Sequence, residues 1–578
     1  MTIALRDRTT SPPARPGREG RTALRSALRP TPARIVLVAA AICWLISLPS
    51  LGRAPISQYG LLAAGSPLFA VSIALSGLGL VLAARASDLL AGWAAVAMSI
   101  ATMRLTITLA TANPFYSWTY KHLAVADYIR ETGSAARDVD IYHHWNGLFA
   151  ATAWLSDITG ISAITMAHWF TPVIYTLIAL LFYAVARIWQ CPPMIAVIAT
   201  FIVQSLDWVG QGYYSPQCVA YVLALGIIGL FGWALRTGRA SRPVLALILT
   251  AFVAITVTHQ LTPYWVILLA FLLTITGRLR PRWLFFVMGV MAVAFLAYNW
   301  SSAAKFGLLS SGDVVSNAQT NIPLVGVRGQ QVTSQIVRIL SGGIWATALL
   351  CAIWSAVRKR PFLVPSILAF SSFGILFGQS YGGEAIFRVF LFSLPGCALL
   401  IAPVIERLAK FRLTVLPLIA VAMAAAVASA QGLYGAWSAY NMPEEENRIS
   451  AQLMEDNPVP TYITAVAPVW PERNSARYVD FARWDPGFDA TLVYVAKLVG
   501  SHFNTDVDYA RFMDAVALHG ATPTLLVVTQ QMRVYDWYFG ILPYDAIPNL
   551  EARINKDGRW KPYLLTPNVH VYEYLEAR

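Results

Sequence analysis

The run Arg137-Asp138-Val139-Asp140-Ile141-Tyr142-His143-His144-Trp145 gathers two carboxylates, two imidazoles and two aromatic rings in one short stretch, with Asp127 a little upstream. Carboxylates of this kind suit proton abstraction from a hydroxyl during group transfer. The plainer account of each is a solvated loop acid or a cap for a following helix. Asp138 and Asp140 with His143 or His144 are also the one place for a divalent cation, at a spacing too loose to define a site. Two arginines complete the inventory. Arg388 follows Tyr381-Gly382-Gly383-Glu384 by one helical turn, and Arg104 lies deep in an apolar run. A guanidinium fork suits a phosphate, whereas an i,i+4 pair with Glu384 and snorkelling to the interface are the bland readings. Asp207, Tyr213, Tyr214 and His259 stand beside Gly and Pro residues that interrupt apolar runs, a pattern of broken helices around a wet cavity.

The elements that must position these groups are membrane spans. Of 578 residues, 57% are hydrophobic and only 13% charged, about half the charged fraction of a soluble globular chain. Thirteen apolar runs are expected to span, near 35–52, 61–84, 89–111, 161–186, 192–206, 217–235, 243–258, 262–276, 283–299, 336–357, 362–380, 386–404 and 413–431. Residues 1–34 carry eight Arg against Asp7 and Glu19 and read as a disordered cytoplasmic tail. With the N-terminus inside, six short cytoplasmic loops hold 14 of the 23 basic residues between 35 and 431, as the positive-inside bias demands. The net charge of +13 is therefore an orientation signal and not a nucleic-acid footprint. The five cysteines show no zinc or disulfide spacing.

Only Asp88 and Glu406 of the ten acids in this region fall on the cytoplasmic side, and five of the other eight lie in 113–160. That outer segment reads as two interfacial helices, 119–131 with Gly133 as stop signal and 145–155, flanking the acidic aromatic turn. The tail 432–578 is more polar, with 18 acidic and 12 basic residues. Strands are expected at 524–529 and 569–575 and a helix at 502–519, giving a small extracytoplasmic α/β domain. The expected fold is thus an α-helical polytopic membrane protein of about 13 spans (35–431) with that C-terminal domain.

This arrangement resembles the GT-C superfamily of membrane glycosyltransferases. Locally, Tyr120-Lys121-His122…Asp127-Tyr128-Ile129, Asp140 to Trp145, Tyr213-Tyr214-Ser215-Pro216-Gln217, His259-Gln260-Leu261-Thr262-Pro263 and Gly383-Glu384…Arg388 are similar to actinobacterial members. One departure is that the acidic loop follows the third span, where better-known members have it after the first. The resemblance implies a polyprenyl-phosphate-linked sugar donor in the outer leaflet and a cell-envelope glycan, lipid or protein as acceptor. It places the general base in this loop, Asp140 first and Asp127 or Asp138 behind it, with inversion at the anomeric carbon. Arg388 and Arg104 would then hold the donor phosphate, and His143, His144, Trp145, Tyr213, Tyr214, His259 and Glu384 would line the substrate site. Two other readings compete. An O-antigen-type polymerase or ligase would rely on basic outer residues such as Arg328 and Arg338. A lipid-linked glycan transporter or flippase would carry internal repeats and midplane charges, whereas no repeat is evident and most acids are peripheral.

Overall fold

The computed structural model describes residues 30–304, 325–377 and 384–575, except Gln211, His519 and Ala521. Most of the basic tail, the turn Tyr381-Gly382-Gly383 and part of the 300–335 loop lie outside the described residues.

The chain opens with α1 (Pro32–Leu51), α2 (Pro67–Ala86) and α3 (Leu89–Ala110), the last containing a π-turn at Ala101–Leu105. Asp88 shows how the inner ends are fixed. Its carboxylate accepts the Ala91 N–H as an N-cap and holds Arg34 at 2.8 Å, joining α3 to the start of α1. Two short helices follow, α4 (Trp118–Thr132) and α5 (Gly147–Thr159). Gly133 and Gly160 end them in the left-handed region at φ 67° and 70°, which favours glycine. Between them Asp140 caps a 3₁₀ turn, Ile141–His143.

The body continues through α6 (Ala163–Ile188), α7 (Pro193–Leu206), α8 (Pro216–Thr237), α9 (Arg242–Thr258), α10 (Thr262–Ile275) and α11 (Leu284–Tyr298). After the loop come α12 (Arg328–Val357), α13 (Leu363–Phe377, its second half 3₁₀), α14 (Ala385–Ala409) and α15 (Arg412–Tyr434). Eight of these helices are long and apolar enough to cross a membrane: α1, α2, α3, α6, α8, α12, α14 and α15, the last running on to Tyr440. The remaining five, α7, α9, α10, α11 and α13, are apolar but only 10–17 residues long. They coincide with the other expected spans. The protein is a multi-pass membrane protein. Helix α14 is its centre, packed on α7, α12 and α13, whereas α1 and α15 expose most of their apolar surface, as lipid-facing helices do.

The C-terminal region holds α16 (Glu444–Asp456), β1 (Tyr462–Ala465), α17 (Tyr478–Trp484), α18 (Asp506–Ala517), β2 (Thr524–Thr529), α19 (Gln530–Phe539), α20 (Ala546–Ile554), β3 (Trp560–Leu565) and β4 (Val569–Tyr574). The sheet order is β1-β2-β4-β3, with β1 parallel to β2 and the other pairs antiparallel. All six residues of β2 are buried, whereas β3, at the edge of the sheet, is mostly exposed. The core of this region is shared with the outer segment. Tyr120, Leu123 and Val125 of α4 and Phe149 of α5 pack into the same cluster as Leu526, Val571 and Phe512. The amphipathic face of α4 is therefore buried under the C-terminal domain.

Glu446 and Asp536 are fully buried in this region, and neither Asp536 carboxylate oxygen has a hydrogen-bond partner among the described residues. Burial pushes both carboxyls up to about 8. Folded values above the unfolded ones mean stability that is complete below about pH 4 and lost as pH rises through 8. The thermal midpoint of the C-terminal domain should therefore fall by several degrees between pH 5 and pH 8.5. A Glu446→Gln, Asp536→Asn double variant should remove most of that slope in a pH series of melts.

Candidate active site

The C-terminal end of α3 carries the first half of the site. The π-turn admits one extra residue to the helix and turns Arg104 inward. Its guanidinium is 1% exposed. Nη2 donates to the Asp207 carbonyl at 2.5 Å and lies 3.6 Å from the Asp207 carboxylate, while the group stacks 3.8 Å over the Tyr175 ring. Tyr175 Oη donates to the same carboxylate at 2.5 Å. That approach requires Gly212, where a Cβ would sit 1.9 Å from the Tyr175 ring. The Thr102 carbonyl in the π-turn accepts Tyr434 Oη at 2.6 Å.

Arg104 forms part of the wall of a cleft completed by Tyr116, His168, Thr171 and Tyr213. Its Nε has no hydrogen-bond partner among the described residues. His168 and Thr108 exchange side-chain-to-carbonyl bonds that lock α6 to α3 along one side of this cleft. Tyr440, beyond the end of α15, packs on Tyr116 with ring centres 5.2 Å apart.

The second half lies on the seam between α4 and the C-terminal domain. Asp140 Oδ1 accepts the Tyr142 N–H at 2.9 Å, and Oδ2 takes Arg473 at 2.7 Å and Tyr478 Oη at 3.3 Å. Arg473 reaches on to Asp489 at 2.7 Å. His143 is buried, its Nδ1 accepting the Ala136 N–H and its Nε2 donating to Tyr478 Oη at 2.7 Å. Burial pulls its pKa down. The two halves are joined by aromatic rings. His122 stacks on Tyr213 with planes 3° apart, Tyr213 packs on Tyr116, and Tyr142 meets His122 edge-on. Buried, His122 is held down at about 4 and is neutral at physiological pH.

The expected residues thus separate. Arg104 and Tyr213 line the cleft, and Asp140 sits on the seam beside it. Asp138 makes an exposed pair with Arg483, at 2.7 Å, whose hydrogen bond lowers its pKa. Asp127 lies on α4 and only 3.8 Å from Arg130, its carboxyl raised by burial. His144 bonds Asn299 and the Arg137 carbonyl, Trp145 packs on Phe295, and Tyr214 Oη donates to Thr152. These three fasten the outer segment to its neighbours. His259 receives the Thr262 N–H in the α9–α10 turn. Arg388 is almost fully buried at the head of α14 and pairs with the half-exposed Glu384 at 2.5 Å. The loop does not fit a divalent cation, because Asp138 and Asp140 are each held by an arginine and no three His, Cys, Asp or Glu residues converge among the described residues. Tyr116, His168, Tyr440 and Arg473 escaped the sequence reading. Only Tyr116, at the end of an apolar run, had any signal, since aromatics there are ordinarily interface anchors.

Neither a family model nor a curated protein matches this sequence. Solved structures do. The archaeal oligosaccharyltransferase AglB from Archaeoglobus fulgidus, in complex with an inhibitory peptide and a dolichol-phosphate, is similar with a TM-score of 0.50 at 12% identity, over 84% of this chain and 74% of that one. An Archaeoglobus fulgidus oligosaccharyltransferase tethered to an acceptor peptide gives 0.47 at 14% identity, over 80% and 72%. ArnT from Cupriavidus metallidurans bound to undecaprenyl phosphate gives 0.44 at 12%, over 79% and 93%. The chain shares the fold of the archaeal oligosaccharyltransferase AglB.

Removing one partner of a buried pair leaves an uncompensated charge, at a cost of about 3–5 kcal/mol. Asp207→Asn should accordingly lower the thermal midpoint far more than Asp138→Asn, whose exposed pair contributes about 0–1 kcal/mol. Melts of the two variants in the same detergent compare them directly.

Proposed function

We propose that this protein is a glycosyltransferase that moves a sugar from a polyprenyl-phosphate-linked donor to a cell-envelope acceptor outside the cytoplasm, with its N-terminus inside. The observation that carries this reading is Arg104, a cleft-lining residue whose buried guanidinium is held in place by Asp207 and Tyr175. A buried cation fixed in advance is suited to charge that develops on a departing phosphate. The similarly folded archaeal oligosaccharyltransferase was solved with a dolichol-phosphate, a ligand of the same class.

In this reading the acceptor hydroxyl oxygen attacks the anomeric carbon as the bond from that carbon to the phosphate oxygen breaks. The bonding electrons leave with the polyprenyl phosphate, facing Arg104, with Arg388 as the second cation. The anomeric centre inverts, and the hydroxyl proton passes to Asp140. Asp140 is held by Arg473 at 2.7 Å, and its longest contact, Tyr478 Oη at 3.3 Å, is the one an incoming hydroxyl would replace. Tyr213 and Tyr116 offer ring faces to the sugar between the two.

Purified protein in nanodiscs, given radiolabelled polyprenyl-phosphate sugars and envelope extract, tests the assignment. Arg104→Gln and Asp140→Asn should each reduce transfer by about a hundredfold or more, whereas Tyr478→Phe should keep transfer within about tenfold of wild type. Full activity in a folded Asp140→Asn variant would make Asp140 an anchor only and move the base to Asp127.

A further inference from the structure

The loop that follows β1 carries Arg473 to Asp140, and its backbone is strained. Pro468 and Val469 are the central residues of a turn over 467–470, and Val469 stands at φ 88°. A positive φ directly after a proline at the first central position is that of a type II turn, which calls for glycine at the second. A β-branched residue there is costly. Burial holds it in place, for Val469 is 6% and Trp470 3% exposed, both within the core of the C-terminal domain. Turning over the peptide plane between Pro468 and Val469 gives a type I turn, with Val469 at a comfortable φ of about −90°. The turn therefore has two arrangements, and the structure shows the one with the costlier backbone.

Both ends of the loop are fixed. The Val466 N–H donates to the Val527 carbonyl and the Val466 carbonyl accepts the Val493 N–H, while the Asn474 side chain bonds Asn447 and Ser450. A change in the turn is taken up between these anchors, where Arg473 lies. Its guanidinium is divided between two acids. Nη1 donates to Asp140 and Nε to Asp489, each at 2.7 Å, and the guanidinium carbon lies 5.4 Å from the centres of the Tyr478 and Phe488 rings. Asp489 and the two rings can keep Arg473 when Nη1 leaves Asp140. In the arrangement observed, the Asp140 side chain is 12% exposed with both oxygens engaged, so the loop covers the carboxylate.

We propose that the 467–470 turn is a strained latch that closes Arg473 over Asp140 and opens by the turn flip to uncover the carboxylate. That the uncovering serves catalysis rests on the reading of Asp140 as the base; the latch itself does not.

Val469→Gly, Val469→Asn and Val469→Ala are compared in full-length protein in nanodiscs. All three lose the buried isopropyl group, but only Gly and Asn tolerate the left-handed backbone. Val469→Gly should melt at least about 2 °C above Val469→Ala, although its side chain is smaller. Carbodiimide labelling of Asp140, read by mass spectrometry against the exposed Asp138, should be about fivefold slower in the Gly and Asn variants than in Val469→Ala, because the closed latch no longer carries the strain. Sugar transfer should slow in the same order. A Gly variant that melts no higher than the Ala variant shows a turn without strain and overturns the proposal. Equal labelling of Asp140 in all three, with the melts in the expected order, separates the strain from Asp140 and overturns it as well. Labelling that follows the substitutions while Asp140→Asn keeps full transfer supports the latch and removes Asp140 as the base.

Discussion

A guanidinium buried within an apolar span has to find its counter-charge inside the protein, because lipid does not supply one. Arg104 meets that constraint through Asp207 and Tyr175, and the arrangement of the outer helix ends follows from it. The π-turn in α3 aims the side chain, and Gly212 lets Tyr175 approach. The chain after α7 leaves helical geometry at Asp207 so that both its carbonyl and its carboxylate face the cation. A lysine in the same place would keep the charge and lose the planar stack on Tyr175.

The C-terminal domain is bound to this framework through a shared core as well as through charge. Apolar residues of α4 and α5 complete a cluster that the C-terminal strands and helices begin. Above that contact the chain of hydrogen bonds from His143 to Tyr478 to Asp140, and the fork of Arg473 between Asp140 and Asp489, fix the acidic turn against the domain. A turn held from both sides is a rigid place from which to present a carboxylate.

The three loop acids show why residue type alone cannot rank them. Asp138 is exposed and paired, Asp127 is partly buried and loosely paired, and Asp140 is held within a network. The aromatic rings between Asp140 and Arg104 connect the two charged halves without bringing them into contact.

The sequence by itself determined the long apolar helices and the polar segment that holds α4 and α5, because a hydrocarbon slab permits few solutions and apolar length reports them directly. It also determined α4, α5 and the strands β2 and β4, whose periodicity and glycine stops are local. Asp140, Arg104 and Tyr213 were legible as chemistry-bearing residues. That His144, Trp145 and Tyr214 are fasteners, and that Asp140 answers to Arg473 some 333 residues away, was decided only by the tertiary structure. Burial and partnership depend on which distant segments meet. A histidine facing a buried tyrosine and one facing solvent have the same local sequence signal, and only the packing of α4 beneath the C-terminal domain tells them apart.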